Sequence, residues 1–239
     1  MPDSKQNKKI SVVMAAWNEE PRIGNVLKVV KNHPLIDEII VIDDGSKDKT
    51  SEVAKKYGVR LIQNEQNMGK TLSVKKGIEA AKNELVFLLD ADLNGLTLDD
   101  VSRLAEPVLD GEVDWTLSIR GNSVGFMKFA KMDWISGERI VPKELLADPY
   151  IWSRSNISYG LETLMNESFL NRKTTFRSVY LPNLTITHKA EKDGFIKGWT
   201  GEFRMFSQMS KVLPIYRIFW QFITMARLNK KYSRIKKHV

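Results

Sequence analysis

The first half of the chain alternates short apolar segments with longer segments in which apolar residues recur at helical spacing. The short segments are rich in β-branched residues and do not alternate with polar ones, as is typical of strands buried on both faces. They are Ile10–Met14, Glu38–Ile42, Arg60–Ile62, Leu85–Leu89 and Trp115–Ile119. Because a helical segment separates each from the next, the pattern predicts an α/β fold with an open, mostly parallel sheet flanked by helices.

Polar residues cluster directly after four of the predicted strands. In an open parallel sheet these positions meet at one edge, where ligands bind. The clusters are Trp17–Glu20 after the first strand, Asp43–Ser46 after the second, Asn67–Lys70 after the third and Asp90–Asp92 after the fourth. A single aspartate at a strand end is often only a turn or helix cap. Four clusters at one edge predict a ligand site there.

Asp90 and Asp92 form the chemical centre of this predicted site. They follow a buried strand and, with one alanine between them, are expected to point the same way. Two such carboxylates repel each other unless a cation lies nearby, and Mg²⁺ or Mn²⁺ prefers oxygen ligands shared with substrate phosphates. The chain has no P-loop motif and no G-x-G-x-x-G after the first strand, which argues against a P-loop NTPase and a dinucleotide-binding domain.

Composition narrows the class of protein without changing this picture. The 239 residues are 42% hydrophobic and 28% charged, as in ordinary globular proteins. The absence of cysteine excludes a disulfide framework, a thiolate zinc site and a thiol nucleophile, and it fits a reducing compartment. No segment approaches the ~20 apolar residues of a membrane-spanning helix, and the first apolar segment is too short for a signal peptide.

The excess positive charge lies at the C-terminus. The formal net charge is +8, from 37 Lys and Arg against 29 Asp and Glu. Eight basic residues and no acidic ones follow position 210, and without those eight the basic count is 29, equal to the acidic count. Since the body is formally neutral and carries no nucleic-acid-binding motif, we expect no nucleic-acid partner.

Four segments read together resemble the family 2 glycosyltransferases with the GT-A fold, and are similar to the polyprenyl- and dolichyl-phosphate sugar transferases. The segments are SVVMAAWNEE at 11–20, VIDDGSKDKT at 41–50, NMGKTLSVKKGIEAA at 67–81 and FLLDADL at 87–93. The resemblance is good over residues 10–140 and patchy beyond. It implies a nucleotide-diphosphate sugar donor, a divalent Mg²⁺ or Mn²⁺ ion, and transfer of the sugar to an acceptor hydroxyl or phosphate.

The resemblance also implies a role for each matching position. Trp17 stands where an aromatic side chain stacks on the nucleobase, although the family often has proline and tyrosine where this chain has Ala16 and Trp17. The other implied donor contacts are Glu19 as a donor-binding acid, Asp44 with its neighbour Asp43 as the base-binding acid, Lys70 at the nucleotide or phosphate, and Asp90 with Asp92 at the ribose and metal.

The second half of the chain is expected to supply the acceptor site and the catalyst. Arg120 and Arg139 resemble arginines that line phosphates, which a guanidinium fits well; a surface or ion-paired arginine is the alternative. Glu162 is the candidate base for the acceptor's proton; the alternative is a favourable position in a helix's first turn. His188 is the candidate third metal ligand, with Lys189 at the diphosphate, unless His188 is simply exposed at a strand end.

The segment from Leu213 to Lys231 is apolar and aromatic, with basic and polar residues recurring at helical spacing. This pattern predicts an amphipathic helix on an anionic membrane surface, and with it a cytoplasmic protein peripheral to the inner face of the membrane. Packing of the helix on the protein's own core and a homodimer interface are the alternatives. We assign a GT-A domain to 1–202, with a nucleotide-sugar-binding half at 1–120 and an acceptor half at 121–202, and a basic amphipathic segment to 203–239.

The leading functional prediction is a metal-dependent, inverting glycosyltransferase that uses a nucleotide-diphosphate sugar. The basic C-terminal segment favours a lipid-linked acceptor such as polyprenyl phosphate. Two alternatives stay open, a retaining transferase that acts on a small soluble acceptor and a nucleotide-sugar-binding scaffold that has lost turnover.

Overall fold

The computed structural model describes residues 9–123, 131–153, 160–186, 210 and 213–233. Within these residues, seven strands form one sheet in the order β3-β2-β1-β4-β7-β6-β8, and β5 pairs with β9 separately. The strands are β1 Ile10–Ala16, β2 Ile36–Asp43, β3 Arg60–Gln63, β4 Leu85–Leu88, β5 Leu93–Asn94, β6 Trp115–Arg120, β7 Arg139–Pro142, β8 Phe176–Leu181 and β9 Thr185–Ile186. The helices are α1 Ile23–Lys31, α2 Thr50–Lys56, α3 Lys70–Ala80, α4 Leu98–Leu109, α5 Lys143–Leu146, α6 Pro149–Trp152, α7 Leu161–Asn171 and α8 Ile215–Tyr232.

The large sheet is parallel except for one strand. β1 pairs in parallel with β2 and β4, β2 with β3, and β6 with β8, whereas β7 runs antiparallel to β4 and β6. The predicted open, mostly parallel sheet is confirmed, and all five predicted strands are present with ends that differ by one or two residues. Because β7 and β8 continue the sheet beyond position 120, the predicted donor and acceptor halves share one sheet.

Helices cover both faces of the sheet, because most of its strands are apolar on both faces. Side chains of α3, α7 and α8 fill the core on one face, and those of α1 and α4 fill the core on the other. Strand β1 shows the alternation, since Val13 contributes to the first core and Val12 and Met14 to the second. Gly77 lets α3 lie close to the sheet, because a Cβ there would fall 2.5 Å from Val13 Cγ1.

Helix α8 has one face on the domain and another exposed. Its buried residues are Ile218, Gln221, Met225 and Asn229. Gln221 donates to the Glu167 carboxylate and to the Thr163 carbonyl on α7, at 2.6 and 3.2 Å. The helix therefore packs on the protein's own core, while Ile215, Tyr216, Phe219 and Trp220 keep 48–74% of their surface exposed. Of the helices in the described ranges, none is both long and apolar enough to cross a membrane.

Candidate functional site

Three charged side chains from distant parts of the chain meet at the carboxyl ends of the central strands. Lys70 begins α3, Asp90 follows β4, and Glu162 lies in the first turn of α7. The Lys70 ammonium nitrogen lies 2.8 Å from Asp90 Oδ1 and 3.0 Å from Glu162 Oε1. The structure thus brings together three residues that the sequence singled out, with the lysine as a bridge between the two acids.

The three groups fix one another's charge. Burial raises the pKa of Asp90 and of Glu162, but the Lys70 charge, with a contribution from Arg139, outweighs it and holds both carboxyl pKa values below their ordinary range. Burial lowers the pKa of Lys70, and the two carboxylates outweigh that effect and raise it. All three groups are therefore ionised at neutral pH. The side chains of Asp90 and Glu162 remain 23% and 15% exposed, so a ligand can reach them.

A small pocket adjoins these groups, with an apolar wall formed by β1, β4, α3 and α7. Its lining includes Val13, Ala15, Val74, Leu88, Leu161 and Met165. Gly137 forms part of the rim, and a Cβ on it would lie 2.7 and 2.9 Å from the two Asp90 carboxylate oxygens. The sequence gives little indication of a role for Gly137, apart from its position between Ser136 and Glu138 in the segment that leads to Arg139.

The two acids at the end of β2 hold the neighbouring loops. Asp44 is buried and accepts hydrogen bonds from Asn64 Nδ2 and from the backbone N–H groups of Met68 and Gly69, each at 2.8 Å. Asp43, also buried, accepts from the backbone N–H of Ser46 at 3.0 Å. Asp44 therefore fixes the turn that leads into α3 and sets where the Lys70 backbone lies.

The loop after β1 presents Trp17 and Glu19. Trp17 is 52% exposed, so its ring face is open to a ligand. The Glu19 carboxylate forms an ion pair with Arg22. Asn18 adopts a left-handed backbone, with φ of 56°, and its side-chain oxygen accepts from the Lys47 backbone N–H at 2.8 Å. The loops after β1 and β2 are thus tied together beside the site.

Asp92, the second acid of the pair, lies at the start of the small β5–β9 sheet. Asp92 is half-buried and directly precedes β5. Leu93 of β5, the residue after Asp92, pairs with Ile186 of β9, and β9 ends two positions before His188 in the chain. The predicted ligand His188 and the predicted diphosphate contact Lys189 lie outside the described residues. Within the described ranges, no three His, Asp or Glu side chains converge as a ready metal site.

The two predicted phosphate-binding arginines are turned inward. Arg120 Nη2 lies 3.2 Å from Asp133 Oδ2, and Arg120 Nη1 lies 3.5 Å from Glu138 Oε1, with both carboxylates fully buried. Burial lowers the pKa of Arg120, but these carboxylates outweigh it and raise the pKa. The sequence left open whether Arg120 binds a phosphate or forms an ion pair, and in this structure it forms an ion pair.

Arg139 is fully buried beneath the site. Its guanidinium donates to the carbonyls of Ser136 and Trp134, both at 2.7 Å, and to Asn166 Oδ1 at 2.6 Å. Burial lowers its pKa to about 10, opposed by the nearby carboxylates, Glu162 first among them. In this arrangement Arg139 does not present its guanidinium to a phosphate. It acts on the site through its charge and by holding β7 against α7.

The sheet order and the acidic edge define an α/β protein of the GT-A type. Solved structures of glucosyl-3-phosphoglycerate synthase from Mycobacterium tuberculosis share the fold. One complex with Mn²⁺, UDP and glucosyl-3-phosphoglycerate aligns with a TM-score of 0.65 over 87% of this chain and 81% of that one, at 21% identity. Another, with Mg²⁺ and UDP, aligns with a TM-score of 0.66 over 87% of this chain and 80% of that one, at 22% identity. The predicted GT-A fold is confirmed.

The family follows from the sequence match. Residues 11–162 match the model of glycosyl transferase family 2, and the chain belongs to this family. The human dolichyl-phosphate β-glucosyltransferase is 36% identical over 119 residues, covering 43% of this chain and 36% of that protein. The dodecaprenyl-phosphate galacturonate synthase of Rhizobium johnstonii is 32% identical over 126 residues, covering 47% and 37%. The matched segments span less than half of these relatives' length.

The residues at this edge fit a divalent cation. Asp90 and Asp92 offer hard oxygen ligands, and Asp90 already holds a cationic group, the Lys70 ammonium, at 2.8 Å. The absence of a Cβ at Gly137 gives the Asp90 carboxylate the room it occupies. Mg²⁺ and similar ions are commonly bound by one or two protein carboxylates together with oxygens of the substrate phosphates. The two aspartates therefore suffice as protein carboxylate ligands.

Proposed function

We propose that this protein is a metal-dependent glycosyltransferase that moves a sugar from a nucleotide-diphosphate donor to an acceptor. The observation that carries the proposal is the meeting of Lys70, Asp90 and Glu162 at the carboxyl edge of a GT-A sheet in a family 2 chain. The M. tuberculosis structures of the same fold hold UDP with Mn²⁺ or Mg²⁺, which supports a uridine nucleotide as the first donor to test.

On this proposal the nucleotide lies across the loops after β1 and β2. The exposed ring of Trp17 stacks on the base, and Asp43 and Glu19 contact the nucleoside. Asp44 has its carboxylate engaged by three donors, so its contribution is to hold the loop that carries Lys70. The Lys70 ammonium is the cation best placed to meet the diphosphate.

The metal ligands on this proposal are Asp90 and Asp92, with His188 as the third. The pairing of Leu93 with Ile186 supports His188, because it brings the chain that precedes His188 alongside Asp92. Once bound, a divalent ion neutralises the charge that develops on the departing diphosphate. Lys189, the next residue after His188, is the proposed second cation at the diphosphate.

Glu162 is the proposed catalytic base. Glu162 is ionised at neutral pH, and it shares the Lys70 ammonium with Asp90. An acceptor hydroxyl that contacts Glu162 would therefore lie close to a donor bound at Asp90. In an inverting transfer the hydroxyl oxygen bonds to the anomeric carbon, the bond from that carbon to the diphosphate breaks, and Glu162 takes the hydroxyl proton. A phosphate acceptor is already ionised, and Glu162 would then orient it without taking a proton.

A calorimetric titration with UDP and GDP, with and without Mn²⁺, tests donor binding. We expect Mn²⁺-dependent binding of one nucleotide, and sugar transfer when its sugar conjugates are offered with polyprenyl phosphate or with small acceptors. Asp92→Asn should lose the Mn²⁺-dependent part of the affinity and keep its thermal unfolding temperature. Wild-type affinity in that variant would contradict the metal assignment. Nucleotide binding without turnover across donors and acceptors would favour the scaffold, and retention of configuration in the product would favour the retaining alternative.

We further propose a lipid-linked acceptor and a peripheral position on an anionic, cytoplasmic membrane face. Four large apolar residues of α8, Ile215, Tyr216, Phe219 and Trp220, lie exposed on the helix whose last turns carry Arg227, Lys230 and Lys231. A helix that carries both exposed aromatic rings and basic residues suits the headgroup region of anionic lipid. The relatives named for dolichyl-phosphate and dodecaprenyl-phosphate substrates support a lipid acceptor.

Flotation with phosphatidylglycerol vesicles tests the membrane proposal. We expect the wild-type protein to float and the triple variant Tyr216→Ser, Phe219→Ser, Trp220→Ser to stay in solution, because the exposed apolar area is lost. Phosphatidylcholine vesicles and a Thr224→Ser variant serve as controls. Point variants are preferable to removing α8, whose Ile218 and Met225 belong to the core. Equal flotation of the triple variant would contradict the proposal, and a dimer that the same substitutions dissociate would favour the dimer interface.

A further inference from the structure

The Lys70 ammonium occupies the two carboxylates that the proposed function requires for other partners. It contacts Asp90, which the metal needs, and Glu162, which the acceptor needs, at 2.8 and 3.0 Å. An ammonium between two carboxylates satisfies their charge much as a bound cation does. The same lysine is the group best placed to meet a diphosphate. A divalent ion bound to Asp90 would compete with the Lys70 ammonium for that carboxylate and repel it, so the Lys70 contacts must change as ligands arrive.

The surroundings allow such a change in the side chain without one in the backbone. The backbone before Lys70 is fixed, because Asp44 accepts the N–H groups of Met68 and Gly69 at 2.8 Å. The Asp90 carboxylate has little room on the side where it meets Gly137. The Lys70 side chain is 38% exposed and has a long flexible stem with a compact charged end. Of the three groups, Lys70 is the one that can move most freely.

We propose that Lys70 is an exchangeable cation, which occupies Asp90 and Glu162 in the ligand-free protein and leaves Asp90 when a divalent ion arrives with the donor diphosphate. This inference rests on the proposed function. The departing ammonium finds a new partner in the diphosphate, and Glu162 is released toward the acceptor. In the absence of the diphosphate the ion must compete with Lys70. The ion and the nucleotide therefore bind cooperatively, each strengthening the other's affinity by the same factor.

A permanent Lys70 bridge is the competing explanation. In that case the lysine is a structural contact that stays in place during binding, and its removal loosens the site. The two explanations predict opposite effects on metal binding alone. Without Lys70, an exchangeable-cation site has two carboxylates that lack their nearest cation, and it binds a divalent ion more tightly, whereas a loosened site binds it less tightly.

The test is a Mn²⁺ titration of the full chain without nucleotide, with free Mn²⁺ followed by electron paramagnetic resonance. We expect Lys70→Met to bind Mn²⁺ about fivefold to tenfold more tightly than wild type, the order expected when one charge close to a partly exposed ion is removed. Lys75→Met is the matched control. It removes the same charge from the same helix, where Lys75 instead faces Glu79 at 3.9 Å, and it should leave the Mn²⁺ affinity unchanged.

Two further measurements complete the test. The double variant Lys70→Met, Asp90→Asn should lose the gain in Mn²⁺ affinity, because the carboxylate that the ion gains is then absent. Repeating the titration with UDP should show a smaller mutual strengthening of Mn²⁺ and UDP in Lys70→Met than in wild type. Circular dichroism and thermal unfolding establish that each variant is folded.

Unchanged or weaker Mn²⁺ binding by folded Lys70→Met, while wild type still binds Mn²⁺ with UDP, would overturn the exchange and leave the proposed function intact. A wild-type protein that binds neither Mn²⁺ nor Mn²⁺ with UDP would overturn both. A gain that persists in the double variant would place the ion away from Asp90 and also overturn the exchange.

Discussion

Charged side chains find different partners in two regions of the molecule. One region is the pair of loops that follow β1 and β2, and the other is the buried layer between β6, β7 and α7. In the loops, Asp43 and Asp44 are satisfied mainly by uncharged donors, most of them backbone N–H groups that are close in the chain or on the next loop. In the buried layer, the charge of Arg120 is balanced by the carboxylates of Asp133 and Glu138. The first arrangement shapes loops for a ligand, and the second anchors the sheet's later strands.

Because of this difference, we expect substitutions in the buried layer to destabilise the fold and substitutions in the loops to weaken ligand binding. Carboxylates that accept backbone N–H groups can be exchanged at the cost of a few hydrogen bonds. Removing one member of a buried charged group leaves its partners uncompensated, which costs more. We therefore expect the largest losses of stability in the buried layer and smaller ones in the loops.

Arg139→Met should have the largest effect on stability. It removes the donors to two buried carbonyls and to Asn166 and takes a positive charge from among buried carboxylates, so we expect a loss of about 3–5 kcal/mol in the free energy of unfolding. Urea denaturation measures it. Arg60→Met is the control, since Arg60 is exposed and pairs with Glu38 at 3.5 Å, and about 1 kcal/mol or less is expected there. Equal losses in the two variants would remove the distinction between the regions.

Asp44→Asn should cost less, about 1–3 kcal/mol, because an amide offers one oxygen where the carboxylate accepts with both. The loosened turn should also weaken UDP binding, since Lys70 follows it directly. Thermal unfolding and calorimetry with UDP measure the two effects. Asp99→Asn, at an exposed position in the first turn of α4, is the comparison variant. A stable variant with unchanged UDP binding would show that Asp44 does not hold the turn.

Gly137→Ala should cost about 1 kcal/mol in stability, the low end for overpacking, because the Asp90 side chain can rotate away from the new methyl group. Its larger consequence is a displaced Asp90 carboxylate and weaker Mn²⁺ binding with UDP, measured by calorimetry. Gly24→Ala is the control. Its Cβ would lie 3.2 Å from Tyr57 Oη near the start of α1, and its nearest neighbours, Tyr57 and Val53, are not among the proposed site residues. Undiminished binding in Gly137→Ala would mean that Asp90 needs no such space.

His33 should give the smallest effect, visible only as a pH dependence. Burial lowers the pKa of His33, so the folded state prefers the neutral ring. Above a pH of about 6.5, the ordinary pKa of histidine, both states are neutral. Below it the unfolded state takes up the proton first, and stability falls as the pH falls. His33→Gln should flatten this slope between about pH 6.5 and 5. An unchanged slope in urea denaturation would exclude His33 as its source.

The sequence predicts the first half of the fold well because each signal there is local. A buried strand shows as an apolar run, and the polar residues that follow it lie at the sheet edge by the geometry of parallel strands. The helix signals are equally local. Gly58, with φ of 67°, follows the end of α2, and Thr97 with Asp100 forms the reciprocal hydrogen bonds that begin α4. The family resemblance then indicates which of these polar residues bind the donor and the metal.

The parts that escaped prediction depend on contacts between distant positions. Lys70 and Glu162 are 92 positions apart, and nothing near either residue indicates that one neutralises the other. An arginine such as Arg139 is a common phosphate ligand, but its guanidinium is buried because it donates to Asn166 on α7. The sequence around Arg139 does not indicate this contact. The strand β7 that carries Arg139 is short and antiparallel, so it lacks the repeating βα pattern that identified its neighbours. Pairwise packing, rather than local preference, decided these cases.

The buried and exposed faces of α8 are under different constraints on substitution. Gln221 and Asn229 make specific hydrogen bonds to the body of the protein, at the Thr163 carbonyl and at the Ser178 backbone N–H. Tyr216, Phe219 and Trp220 keep 48–72% of their surface exposed. Drift or selection can therefore retune the outward residues for a different environment in single steps, with the inward set held constant, and homologues should vary along this helix in stripes.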